Sequence, residues 1–146
     1  MGKNRQLIAH LYQKYLALSP DVGAMALDNW KGKNFGNYLL DAEKKLLADS
    51  CADLAGYRMM HLGLIGNQCA LEPFNQLHQF YIRPQANDIN FDGSSVVAAN
   101  EDLPLPSDVV DVAIVQHALE YSISPQSVLA ETARVLAPGG HLILCV

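Results

Sequence analysis

The side chains best suited to chemistry stand together in one short run, Gln116-His117-Ala118-Leu119-Glu120-Tyr121. It offers an amide, an imidazole, a carboxylate and a phenol immediately after an apolar stretch, residues 109–115, interrupted only by Asp111. Imidazole is the side chain that titrates near neutral pH, so His117 can take a proton from a substrate or line a pocket. It can equally be a structural histidine that caps the loop on which it stands. A second candidate is Gly63-Leu64-Ile65-Gly66-Asn67, which follows the short apolar run Arg58-Met59-Met60-His61-Leu62. Glycines there let the backbone approach a ligand, and a following helix would present its N-terminus to it. The same G-x-x-G spacing also serves as an ordinary strand-to-helix turn.

Other constellations are weaker. His10, His61, His78 and His141 are scattered without metal-ligand spacing. Cys51, Cys69 and Cys145 are odd in number and form no C-x-x-C pair, so neither a zinc site nor a disulfide framework is expected, and a reducing cytoplasm fits. No nucleophile elbow supports Ser-His-Asp chemistry. Glu131 and Arg134 lie one helical turn apart and read as a surface or inter-loop ion pair rather than a site. The net charge of −5 argues against nucleic acid as the main partner, and Lys31, Lys33, Lys44 and Lys45 are too few to form a basic stripe. No apolar run is long enough for a signal peptide or a membrane span.

The elements that must position these groups follow from periodicity. The 146 residues make one domain's worth of chain, and with half of them apolar and 17% charged a packed core is expected. Leu7, Ile8, Leu11, Tyr12, Tyr15 and Leu18 recur at helical spacing over residues 4–18, and Pro20 ends that helix. Residues 21–37, with three glycines and Trp30, read as a loop lying over the next helix. That helix is expected over 38–55, with Leu40, Leu47, Cys51 and Leu54 as its stripe and Gly56 closing it. Residues 58–62 and 77–82 read as the first two strands, joined by a brief crossover at 69–74, and 95–98 as a short edge strand. Residues 109–115 are apolar on both faces, as in a parallel strand covered by helices. Ser124 offers an N-cap, Pro125 suits the first helical position, and Val128, Leu129, Thr132, Val135 and Leu136 give the helix an inward face. Pro138-Gly139-Gly140 should stop the helix, and 141–146 resumes as an apolar strand. Strand, crossover helix and strand make the right-handed unit of an open α/β sheet.

Taken in order, L-P-L-P-S-D-V-V-D-V-A-I-V, Q-H-A-L-E-Y-S and R-V-L-A-P-G-G-H-L-I-L resemble the second half of a class I S-adenosylmethionine-dependent methyltransferase. The likeness covers about a third of the chain as a sharp pattern. Gly56-Tyr57 through Leu62-Gly63 and the run from His117 to Tyr121 resemble a type 11-like bacterial branch of that family. The resemblance implies a Rossmann-like, doubly wound α/β sheet of about five parallel strands ordered 3-2-1-4-5. Residues 1–56 would form a helical cover and 57–146 the core, together one domain. It also implies S-adenosylmethionine as cofactor, held through His61 in the motif's acidic position, Gly63, Gly66, Asn100, Glu101, Asp102, Leu103 and Gln116. His117 would be the catalytic candidate, and Asp111 would support the loop geometry.

Three positions depart from the family pattern. His61 replaces the acid of the first motif, with Ile65 and Asn67 where further glycines would stand. Arg83-Pro84 ends the second strand where a ribose-binding carboxylate is usual. Ala99 occupies the adenine-contacting position, with Asn100, Glu101 and Asp102 as substitutes. Two functions are therefore expected: methyl transfer to an unknown, small-molecule acceptor, or a non-catalytic methyltransferase-like module for binding or assembly. NAD-linked redox fits less well. A family domain continues past its fifth strand, so the last strand is expected to leave an apolar edge, either by truncation or for pairing in a homodimer.

Overall fold

Strands built from Val, Ile, Met and Leu on both faces must be covered on both sides, and the chain does this with helices. The computed structural model describes residues 33–51, 53–63, 71, 74–83 and 94–146. The first helix (4–18), Trp30 and most of its loop, Ile65, Gly66 and Asn67, Pro84, and most of the 69–74 crossover lie outside the described residues. The elements in order are α1 (Asn34–Cys51), β1 (Arg58–Gly63), β2 (His78–Arg83), β3 (Ser95–Val97), β4 (Val110–Gln116), α2 (Pro125–Val135) and β5 (Leu136–Cys145). All strand pairs are parallel, and the sheet order is β3-β2-β1-β4-β5, as expected of the Rossmann-like fold.

Alternation along the strands sorts the core into two layers. Met60, Leu62, Phe80, Ile82, Ala113 and Val115 pack with Leu103, Ala118, Val128 and Val135 on the α2 side. Met59, Tyr81, Val112 and Ile114 pack with Leu47, Leu71 and Phe74 on the other, where Cys51, Leu54, Ile143 and Cys145 join them. Met59, Met60, Leu62, Val112, Ile114 and Val115 are fully buried. Each such side chain contributes roughly 1.5–3 kcal/mol, so β1 and β4 are the strands that the rest is hung on. On β5, Leu142 and Leu144 remain 39% and 45% exposed on the outer strand of the sheet.

Several boundaries differ from the sequence reading, each for a physical reason. The helix expected at 38–55 spans Asn34–Cys51 instead: Gly36 is a buried helical residue rather than part of a loop. Gly56 therefore does not cap the helix. It passes against β4, where its φ of +143° and the collision of any Cβ with the Asp111 side chain both demand glycine. Asp111 Oδ2 accepts hydrogen bonds from Tyr57 N and Arg58 N, both at 2.8 Å, which fixes where β1 begins. Those two backbone donors, Arg58 first, hold the Asp111 carboxyl below its ordinary range.

Pro125 does open α2, but the Ser124 hydroxyl bonds the Ser127 hydroxyl at 2.7 Å rather than a helix N–H. The Ser124 carbonyl still accepts Ser127 N and Val128 N. At the other end, Pro138-Gly139-Gly140 does not stop the helix. Leu136 is already extended (φ −68°, ψ 130°), and the Pro-Gly-Gly lies inside β5. Pairing jumps from Val110↔Leu136 to Val112↔His141, so these residues form a bulge, where a proline's missing N–H is tolerated. Gly140 is required there because a Cβ would lie 2.9 Å from both Asp111 O and Ala137 O.

Gly56→Ala should lower stability by at least about 2 kcal/mol, from left-handed strain and the Asp111 collision together. Chemical denaturation of the variant beside wild type measures it.

Candidate functional site

Parallel sheets bind ligands outside the carboxyl ends of their strands, so the relevant residues are those where β1 and β4 end. Gly63 pairs with Gln116 at that end, and a Cβ on Gly63 would run into the Gln116 carbonyl. The absence of a side chain thus keeps both strands paired to their last residues. His61 and Gln116 are then close enough for His61 Nε2 and Gln116 Oε1 to bond at 3.0 Å. Gln116 Nε2 donates to Glu43 Oε2 at 2.8 Å. Glu43 Oε1 and Oε2 stand 3.0 and 3.1 Å from His117 Nε2, and His117 Nδ1 stands 3.1 Å from Glu120 Oε1. A continuous polar chain therefore runs His61, Gln116, Glu43, His117, Glu120.

Glu43 was not foreseen. It sits on α1, 73 residues from Gln116 in sequence, with no local pattern to mark it apart from other charged residues of a covering helix. His117 stands in the left-handed region (φ 49°), and its N–H donates to Cys145 O at 2.8 Å. Its side chain is 12% exposed, whereas that of Glu120 is 37% exposed, so the polar chain opens to solvent at Glu120. Burial, and then the Glu120 charge, raises the Tyr121 phenol above its ordinary value. Burial pushes the Cys145 thiol up to about 11, with Glu43 adding to the effect, so it is an inert thiol.

Burial also lowers His61 to about 4, only partly opposed by the Gln116 bond, so the ring is neutral at physiological pH. Its ring packs tilted against Tyr81, with 5.1 Å between centroids. His61 Nδ1 is buried and has no hydrogen-bond partner, and the same is true of Asn100 Oδ1 on the turn after β3. Arg83, in the ribose position, donates through Nη2 to Ser95 Oγ at 2.9 Å.

The other anticipated residues form a second cluster that braces the loops. Glu101 Oε1 accepts Ser122 Oγ at 2.6 Å, tying the turn after β3 to the loop after β4. The Leu103 side chain is buried in the core. Its N–H donates to Glu131 Oε2 at 2.9 Å and its carbonyl accepts Arg134 Nη2 at 3.0 Å. Arg134 Nη1 also reaches Leu105 O at 2.8 Å. Both polar groups of the Leu103 backbone are thus engaged within the protein, and the Gln116 amide bonds His61 on one side and Glu43 on the other. Asp102 is exposed. Glu131 and Arg134 form the inter-loop pair, at 2.7 Å, that pins residues 103–105 to α2. The Arg134 guanidinium, with the Leu103 N–H, brings Glu131 down to about 2. Among the described residues no group of His, Cys, Asp and Glu could hold a metal, and no helix is long and apolar enough to cross a membrane.

The model of the family described as "Methyltransferase domain" matches residues 69–144, just over half of the chain. The chain belongs to this methyltransferase family. Solved structures share the fold at low identity. The complex of the Haloferax volcanii Trm112 methyltransferase activator with its methyltransferase is 21% identical, with TM-score 0.62, covering 88% of this chain and 59% of that one. Geranyl diphosphate C-methyltransferase from Streptomyces coelicolor, solved with Mg2+, geranyl diphosphate and S-adenosyl-L-homocysteine, is 19% identical, with TM-score 0.60, covering 74% and 46%. The [4+2]-cyclase SpnF is 22% identical, with TM-score 0.59, covering 71% and 43%. The chain therefore spans about half the length of these structures. A sequence comparison with curated proteins finds no match.

The buried neutral His61 sets a pH dependence. Its folded value, about 4, lies below its unfolded 6.5, so the unfolded state binds the extra proton between them. The stability it contributes is complete above pH 6.5 and declines as pH falls toward 4, by on the order of 3 kcal/mol in all. Glu131 acts in a lower window, between 4.5 and about 2. Thermal melts of wild type should fall between pH 6.5 and 4, and His61→Gln should flatten that segment.

Proposed function

We propose that this chain carries the cofactor-binding core of an S-adenosylmethionine-dependent methyltransferase that acts on a small-molecule acceptor. The observation that carries the reading is a pair of buried acceptors without partners, His61 Nδ1 and Asn100 Oδ1, in a family sheet of order 3-2-1-4-5. An unsatisfied buried acceptor costs roughly 1–3 kcal/mol, and a ligand rich in donors removes that cost. S-adenosylmethionine presents an ammonium group, two ribose hydroxyls and an adenine amine, so the acceptors fit it. His61 and Asn100 would hold it, with Gly63 keeping the backbone at the end of β1 bare. Arg83 donates but cannot accept, so at the ribose it would meet hydroxyl oxygens in place of the usual carboxylate's contact with hydroxyl hydrogens.

When bound, the cofactor supplies an electrophilic methyl group. The protein's part is to align the acceptor and remove its proton where it has one. His117 and Glu120 stand at the solvent end of the polar chain, where a proton can pass to a carboxylate. A cleft of about 230 Å3 between α1 and β5, lined by Glu43, Leu47, Cys51, Ile143 and Cys145 among others, supports a small and largely apolar acceptor.

Calorimetric titration with S-adenosylhomocysteine tests the reading. Saturable heat is expected, with a rise in melting temperature at excess ligand, since 100 times Kd adds about 2.7 kcal/mol. Neither heat nor thermal shift at millimolar ligand would overturn it and leave the non-catalytic module. Asn100→Leu should weaken binding by roughly tenfold, the loss of one hydrogen bond, without unfolding the chain.

A further inference from the structure

We infer that Glu43 is the positioning residue of this site: from α1 it fixes the His117 imidazole and, through the Gln116 amide, the tautomer of His61. The seating of α1 thereby sets the arrangement of protons at the carboxyl ends of β1 and β4. Its use in cofactor or acceptor binding rests on the methyltransferase reading, whereas the proton arrangement belongs to the protein alone.

The logic is one of donors and acceptors. An ionised carboxylate only accepts, so the Gln116 group 2.8 Å from Glu43 Oε2 must be the amide nitrogen. The opposite face of that amide, its carbonyl oxygen, then points to His61 Nε2 at 3.0 Å. A carbonyl also only accepts, so Nε2 carries the His61 hydrogen. A neutral imidazole has only one, which leaves Nδ1 as a bare lone pair, the atom that has no partner. Glu43 thus keeps His61 an acceptor on the side where the family places a carboxylate.

The other branch has its own consequence. His117 Nε2 lies within 3.1 Å of both Glu43 oxygens, and Nδ1 lies 3.1 Å from Glu120 Oε1. Both ring nitrogens face carboxylates, so the ring is held from α1 on one side and from its own loop on the other. The groups that bond the ring are Glu43 from α1 and Glu120 from its own loop. The left-handed backbone at His117 is offset by these bonds together with that of His117 N–H to Cys145 O.

Long-range 15N–1H correlation spectra of the full chain, without ligand at pH 7, read out the histidine ring nitrogens directly. In wild type, His61 is expected with hydrogen on Nε2 only. Glu43→Gln should shift the His117 Nε2 resonance and give His61 a mixture of both tautomers, with a native far-UV spectrum. Gln116→Leu cuts one branch only: His61 should lose its fixed tautomer while the His117 ring resonances keep their wild-type positions. Because His117 reports on the seating of α1, a purely structural loosening would change both residues in that variant. Hydrogen on His61 Nδ1 in wild type would overturn the inference, as would spectra of both residues unchanged by Glu43→Gln. Should Glu43→Gln fail to fold, an unchanged His61 in Gln116→Leu overturns it alone. Cofactor titration is not involved, so failure here and failure of the methyltransferase reading remain distinct results.

Discussion

The close pairing of β1 with β4 up to their final residues is the constraint on which the site depends. It requires that position 63 have no side chain, because the Gln116 carbonyl occupies the place of its Cβ. Any larger residue would part the strands where His61 and Gln116 meet. At their beginnings the same two strands are set by Asp111, which receives two β1-side N–H groups, and by Gly56, which makes room for it. Between these ends, fully buried Met, Leu, Val and Ile side chains hold the register. Two members of the polar chain, His61 and Gln116, thus stand on the fully paired ends of the two central strands, which suits a site that must present fixed donors and acceptors.

The loops around the site are braced rather than free. Glu131 and Arg134 share both polar groups of Leu103 and the carbonyl of Leu105, and Glu101 joins Ser122. These contacts give structural work to residues that the family pattern would assign to the cofactor, Leu103 and Gln116 above all. Among the residues that the family pattern would assign to the cofactor, His61 Nδ1 and Asn100 Oδ1 are buried without a partner. At position 61 the pattern's acid is exchanged for a neutral imidazole, and at 99 for an alanine. At Arg83 the exchange is of an acceptor for a donor.

Much of the architecture was legible because it rests on local signals. The buried run over 109–115, the proline at 125 and the later return to apolar residues defined β4, α2 and β5, and strand order followed from the family resemblance. Boundaries misled where glycine and proline act through tertiary contacts. Gly36 lies inside a helix, Gly56 answers to Asp111, and Pro138-Gly139-Gly140 bulges within a strand. The ion pair of Glu131 with Arg134 was readable from helical spacing. Glu43 was not, because its partners are 73 and 74 residues away and its neighbours read as solvated helix. Nor could the sequence say that His117 would be held between two carboxylates, since only one of them, Glu120, is local.

Chemical-shift mapping of backbone amides during titration with S-adenosylhomocysteine tests most directly that the carboxyl ends of β1 and β4 form the cofactor site. The account predicts saturable shifts concentrated at His61 to Gly63, Asn100 to Leu103 and Gln116 to His117, with Leu142 and Leu144 on the outer strand unmoved. Saturable shifts elsewhere that spare these residues, or no shifts at millimolar ligand, would contradict it.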